Sequence, residues 1–167
     1  MIIHDLMEKE FEELELQSKD QIIISNQAPI RHCIGCFGCW IKTPGACIIR
    51  DDYGDMGQKI ARCNEVLVIS KCTYGGYSSF VKNVFDRSIS YVHPYFTTRN
   101  REMHHKRRYQ NKISFRVWFY GEITIDEEST ARKLVIANGI NFDTVSSEVY
   151  FYPSIKDFPV RKNKKEE

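Results

Sequence analysis

Apolar runs and polar, helix-forming stretches alternate along this chain. MIIHDL (1–6) is a short β-like run and MEKEFEELEL (7–16) has a helical composition. QIIISN (21–26) is β-branched, and EVLVIS (65–70) is a continuous apolar run suited to a strand buried on both faces. Between them MGQKIARC (56–63) reads as helix. YSSFVKNVFDRSISYV (77–92) places Phe80, Val81, Val84, Phe85 and Ile89 near i, i+4 spacing, as an amphipathic helix does. ISFRVWFYG (113–121) and EVYFYP (148–153) are strands, the second stopped by Pro153, and DEESTARKLVIANG (126–139) is a helix with Gly139 as its C-cap. The pattern β-α-β-α-β-α-β-α-β predicts a doubly wound, five-stranded, mostly parallel sheet in the order 2-1-3-4-5, in three α/β/α layers. Ligands in such sheets sit beyond the carboxyl ends of the strands, at the switch between strands 1 and 3. The expected organisation is one domain over residues 1–155, with an insertion at 93–112 and a frayed tail at 156–167 that ends in RKNKKEE.

Composition narrows the picture modestly. Charged residues make up 28% and the apolar set 42% of 167 residues, a globular balance. The net charge of +2 does not by itself call for nucleic acid, and no apolar run is long enough to cross a bilayer. The start has no basic segment followed by an apolar one, so the expected location is cytoplasmic. Thiols stay reduced there, which turns the six cysteines away from a disulfide framework.

The turn after the third strand reads ISKCTYGGYSS. Gly75 and Gly76 let backbone approach a flat ligand, the start of the next helix offers free amides, and Tyr74 and Tyr77 can stack on a ring. The competing reading is a tight strand-to-helix turn with packed tyrosines. CIGCFGCWIKTPGACIIRDD followed by VISKCTYGGYSSFVKNVFDRS resembles the flavodoxin-like NAD(P)H-dependent FMN reductases, including the iron–sulfur flavoproteins. The likeness covers roughly residues 30 to 92. It implies a flavodoxin-like fold, FMN against the strand-3 loop, NAD(P)H as electron donor, and a homodimer in which one subunit covers the other's flavin. Carried over by position, Tyr74, Gly75, Gly76, Tyr77 and Ser78 would line the ring, and Cys72 sits at the same loop, where it either packs or contacts the cofactor. Lys71 stands where the family often has proline.

The first loop departs from that family. A phosphate site wants glycine, serine or threonine at a helix start, and none lies between Ile3 and Leu14. Asp5 and Glu8 have capping-box spacing, and Glu8 and Glu10 add charge that would repel a phosphate. The insertion HPYFTTRNREMHHKRRYQNK (93–112) supplies a substitute: a basic lid whose Arg107 and Arg108 clamp the anionic end of a cofactor. A solvated basic loop is the plain alternative, and a strip for single-stranded nucleic acid a third.

Cys33, Cys36, Cys39 and Cys47 follow C-x2-C-x2-C-x7-C. Thiolates so spaced can converge on a 4Fe–4S cluster or a zinc ion, form a reversible disulfide, or pack as small hydrophobes. By resemblance, iron–sulfur flavoproteins use such a motif for a cluster. Cys63 reads as core, His4 as a satisfied structural histidine, and Asp51 and Asp52 as helix caps. No catalytic acid–base set is legible, and a flavin enzyme needs none. The function anticipated is an FMN-dependent oxidoreductase passing electrons from NAD(P)H or a redox-protein partner to a small acceptor. The alternatives are an iron–sulfur electron carrier built on the cysteine loop and a flavin-free binding or assembly module. No nucleic acid or membrane partner is expected.

Overall fold

The structure, a computed structural model, describes residues 1–159. The RKNKKEE segment lies outside the described residues. Five strands form one parallel sheet: β1 (Ile2–His4), β2 (Ile23–Ile24), β3 (Glu65–Lys71), β6 (Ser114–Tyr120) and β7 (Ser146–Tyr152). The remaining two, β4 (Val92–Arg99) and β5 (Glu102–Arg107), pair antiparallel with each other alone. Counted along the chain, the sheet order is therefore β2-β1-β3-β6-β7 rather than 2-1-3-4-5. The expected long loop at 93–112 is largely this hairpin. Its two-residue turn is Asn100-Arg101, both at positive φ, the geometry that matches the twist of paired strands.

Side chains alternate across the sheet and divide the core in two. Val66, Val68, Phe115, Val117 and Phe119 face α3 (Met56–Ala61), α4 (Ser79–Arg87) and α5 (Ile125–Phe142) in the larger cluster. Ile2, Leu67, Ile69 and Trp118 face the other way, onto Phe11 of α1 (Glu8–Glu12), Leu14 and Phe158. Helices thus flank both faces, compatible with three α/β/α layers, and no described helix is long and apolar enough to span a membrane.

The second face is thinly covered, and this explains two departures at the chain ends. The first helix runs five residues, not ten, because the chain leaves αR at Glu15, where φ is +50°. Its start is closed by Glu10, whose carboxylate accepts the Met7 amide at 2.9 Å, two residues beyond the anticipated Asp5–Glu8 box. Order also runs past residue 155: Phe158 is buried against Trp118 and Tyr152, at 5.2 and 5.0 Å between ring centroids, so the frayed tail does not begin at 156.

Gly139 does not end the last helix. The helix continues to Phe142 and closes at Asp143, in the left-handed region at φ +53°. A Cβ at Gly139 would run into the Ser147 hydroxyl, so this glycine sets how closely α5 lies on β7.

His4 is buried, but it is not satisfied. It stacks on Phe11 at 3.9 Å and neither ring nitrogen has a hydrogen-bond partner. Burial lowers its pKa from 6.5 to about 4. Between those values the unfolded chain takes up a proton that the folded chain refuses. Stability should therefore fall by about 3 kcal/mol as pH drops through that window. Urea midpoints at pH 7 and pH 4.5 measure this, and His4→Leu should flatten that part of the profile.

Candidate functional site

The bend after β3 is a closed turn. Thr73 and Gly76 exchange amide-to-carbonyl hydrogen bonds of 2.9 Å each way, with Tyr74 and Gly75 between them at φ +51° and +73°. Gly75 is needed for packing as well as for φ. A Cβ there would come within 2.8 Å of the Thr130 Cβ and 2.9 Å of the Glu127 carbonyl, on the first turns of α5. Tyr77, expected to face a ring, points inward. It stacks on Phe119 at 5.4 Å, accepts a hydrogen bond from Asn138 at 3.1 Å, and burial pushes its phenol pKa up. Two of the amides expected to be free at the helix start are occupied: the Ser78 amide donates to the Ser70 hydroxyl at 2.9 Å, and the Val81 amide to the Ser78 hydroxyl at 3.4 Å. Tyr74 alone among the loop's aromatics stands in solvent, 90% exposed. Cys72 is half-buried, and burial raises its thiol pKa.

Asp5 holds the switch point between β1 and β3. Its carboxylate accepts the Lys71 amide at 2.9 Å and the Tyr120 hydroxyl at 3.1 Å, joining the ends of β1, β3 and β6. Burial, then the charge of Asp5, raises the Tyr120 pKa, so the phenol remains a donor to that carboxylate. The residues present do not fit a flavin in this crevice: a carboxylate stands where a phosphate or ring carbonyl would need a donor.

The basic residues assigned to the same cofactor lie at the far end of α5. Arg107 pairs with Asp143 at 3.1 Å and donates to the Asn111 carbonyl at 2.7 Å, while Arg108 donates to the Ser90 carbonyl at 2.9 Å. Glu127 and Asp143 are separated by most of a helix, roughly 24 Å at 1.5 Å per residue. Within one chain, Arg107 and Arg108 cannot clamp a ligand seated on the Tyr74 bend.

The structure instead brings the hairpin to the cysteine loop. Trp40 donates to the Val92 carbonyl at 3.0 Å and lies 5.1 Å from the His105 ring. The loop itself hangs on Arg87, whose side chain is fully buried. The guanidinium donates to both oxygens of Asp51, at 2.7 and 2.8 Å, and to the carbonyls of Arg31 at 2.8 Å and Ile49 at 3.3 Å. Asp51 also accepts the Arg31 amide at 3.1 Å, so one ion pair fastens both ends of the cysteine segment. Burial pushes the Asp51 carboxyl up, but hydrogen bonds from Arg87 and the amides of Arg31 and Tyr53 outweigh it and hold it below the usual carboxylate range. Asp51 is thus the loop's anchor, not a helix cap. The signal for this pair was present in the sequence: Phe80, Val84 and Arg87 share i, i+4, i+7 spacing, so the arginine falls on the helix's buried stripe.

Above this anchor lies a cavity of about 540 Å³, walled by the cysteine loop and the last turns of α4 and α5. Cys33, Cys36, Cys39 and Cys47 all line it, with Phe37, Phe85, Ile89 and Phe142 as apolar walls. It lies toward the amino-terminal end of the sheet, opposite the strand-3 bend. All six cysteines are free, Cys33 and Cys36 exposed and Cys39 buried. Burial, and then repulsion from Cys47, Cys33 and Cys36, raises the Cys39 pKa. The Cys47 sulfur lies beside the Arg87 guanidinium. Among the described residues no group of three or more histidine, cysteine, aspartate or glutamate side chains is arranged to hold a metal ion. Four thiols are the kind of donor a soft metal takes, and Gly35 on the loop's outer arm stands at φ +64° with open space around it.

No protein-family model, curated protein or solved structure matches the chain.

Removing one partner of a buried, hydrogen-bonded ion pair costs about 3–5 kcal/mol, because the other charge is left stranded. Arg87→Met and Asp51→Asn should each lower the urea midpoint accordingly, and Arg87→Met/Asp51→Asn should cost less than the two losses added. Additive losses would show that the pair does not act as one unit.

Proposed function

We propose that this chain is a redox protein of the flavodoxin-like reductase type whose working centre is the four-cysteine loop. One observation carries the reading: all four thiols of the C-x2-C-x2-C-x7-C motif line a single cavity over a buried Arg87–Asp51 pair. A cysteine-ligated 4Fe–4S cluster would supply single-electron transfer here. Cys33, Cys36, Cys39 and Cys47 are the ligands that the motif offers. The protein's contribution is to gather them. Burial first, and then the neighbouring thiols, raise the Cys39 pKa, and a cationic centre would turn that cost of ionisation into binding free energy. Arg87 and Asp51 fix the loop's base, and Phe37 and Trp40, stacked at 5.5 Å, shield one side from water.

Anaerobic reconstitution with ferrous iron and sulfide should give a broad visible absorbance near four irons per chain, bleached by dithionite and lost in Cys36→Ser/Cys39→Ser. Iron uptake that is equal in that variant, or absent in the parent, overturns the assignment.

A second reading retains the flavin, because the exposed face of Tyr74 lies at the carboxyl end of the sheet on the bend that resembles the FMN reductases. Here Tyr74 supplies a stacking surface outside the Asp5-filled crevice, with NAD(P)H as donor and a small molecule as acceptor. Titrating FMN with the protein should then quench flavin fluorescence, and Tyr74→Ala should weaken binding at least tenfold. Unchanged fluorescence at about 100 μM protein, where a site worth only ~5.5 kcal/mol would be half filled, removes this reading and leaves the cysteine assignment standing.

A further inference from the structure

The small net charge conceals a strong asymmetry. Residues 31–50 and 92–112 together hold nine lysines and arginines and one acid, Glu102. The rest of the chain holds fifteen and twenty-one, so a segment pair at +8 faces a remainder at −6. The fold joins these two segments into one surface. Rings run in sequence from Phe37 to Trp40 at 5.5 Å, Trp40 to His105 at 5.1 Å and His105 to Phe96 at 4.7 Å, crossing from the cysteine loop to the hairpin. Phe96 pairs with His105 and Thr98 with Met103, two positions along each strand, so Met103 shares the hairpin face of Phe96.

This surface is apolar and open. Ile34 is 72% exposed, Phe37 56%, Phe96 57% and Met103 73%. Some of the positive charge is already used: Arg99, Arg107 and Lys112 all pair with Asp143. Arg101 at the hairpin turn, and Arg31, Lys42 and Arg50 on the loop, are exposed and make no ion pair among the described residues, whereas Lys106, next to His105 on β5, belongs to the opposite face of the hairpin.

We infer that this face is a docking surface for an acidic protein partner. Its charge calls for a polyanion, and its apolar content selects which kind. Aromatic residues, methionine and arginine are the side chains enriched where proteins meet. A nucleic-acid strip works through successive exposed rings on which bases stack, whereas Ile34 and Met103 offer no ring and Trp40 and His105 are half-buried within the ladder. A second copy of the chain related by a two-fold axis would set like charge against like. The inference does not depend on what the cysteines carry, because it rests on charge and exposed surface alone.

The test uses the full chain and three fluorescent probes at matched ionic strength: a random glutamate–tyrosine copolymer, polyglutamate, and a twenty-residue oligo-dT. The copolymer should bind at least tenfold tighter than polyglutamate or oligo-dT, and added salt should weaken it. Arg101→Glu/Lys42→Glu should weaken copolymer binding at least tenfold. Phe96→Ser/Met103→Ser should remove the preference for copolymer over polyglutamate. All four positions are exposed, and circular dichroism confirms that the variants fold. Oligo-dT binding as tight as the copolymer, no binding of any probe below 1 mM, or a dimer in sedimentation that dissociates in Phe96→Ser/Met103→Ser would each overturn the proposal.

Discussion

One buried ion pair organises the half of this molecule that holds the four-cysteine loop. Arg87 ends a helix whose other inward residues are apolar, and its charge is tolerable there only because Asp51 and two carbonyls surround it. Asp51 and the two carbonyls all come from the cysteine loop. The arginine's need for acceptors and the loop's need for a base are thus met by the same contacts. Without them, twenty residues rich in glycine and cysteine would have little packing to hold their shape. With them, the four thiols line one cavity, and the loop's outer wall meets the hairpin through Trp40.

The opposite end of the sheet is settled differently. Asp5, Ser70, Ser78 and Tyr120 satisfy one another across the ends of β1, β3 and β6, and Gly75 is pressed against α5. These are the positions at which a doubly wound sheet ordinarily leaves donors for a ligand. The Lys71 and Ser78 amides and the Tyr120 hydroxyl each have an internal acceptor here. The absence of glycine and hydroxyl residues after β1 foreshadowed this closure, although the carboxylate responsible acts on Lys71 and Tyr120 and not on its own helix.

The four-cysteine motif and the excess positive charge therefore gather at one end, where the cysteine loop and the hairpin share a seam. The rest of the chain is net acidic, which gives the molecule an electrostatic polarity that its overall charge of +2 hides. The hairpin is long enough to project, and a two-stranded ribbon has little stability of its own. Arg99, Arg107 and Lys112 gathered on Asp143 tie it to the end of α5, and the Trp40 ring supports its other side.

Periodicity alone determined the sheet strands, the helices between them and the parallel pairing, because strand and helix burial impose different spacings on apolar residues. The cysteine spacing marked one compact motif, and no glycine, serine or threonine lies between Ile3 and Leu14 after the first strand. Local pattern cannot state which long-range partner a polar group finds. Tyr77 turning inward, Asp51 meeting Arg87 across thirty-six residues, and Arg107 lying a helix length from Gly75 were decided by tertiary packing. The insertion, which in one dimension reads as a loop, is a hairpin because its strands pair with each other and its turn accepts two positive φ values. Sequence spacing set which elements exist; desolvation of the few charged and hydroxyl groups between them set where a site could form.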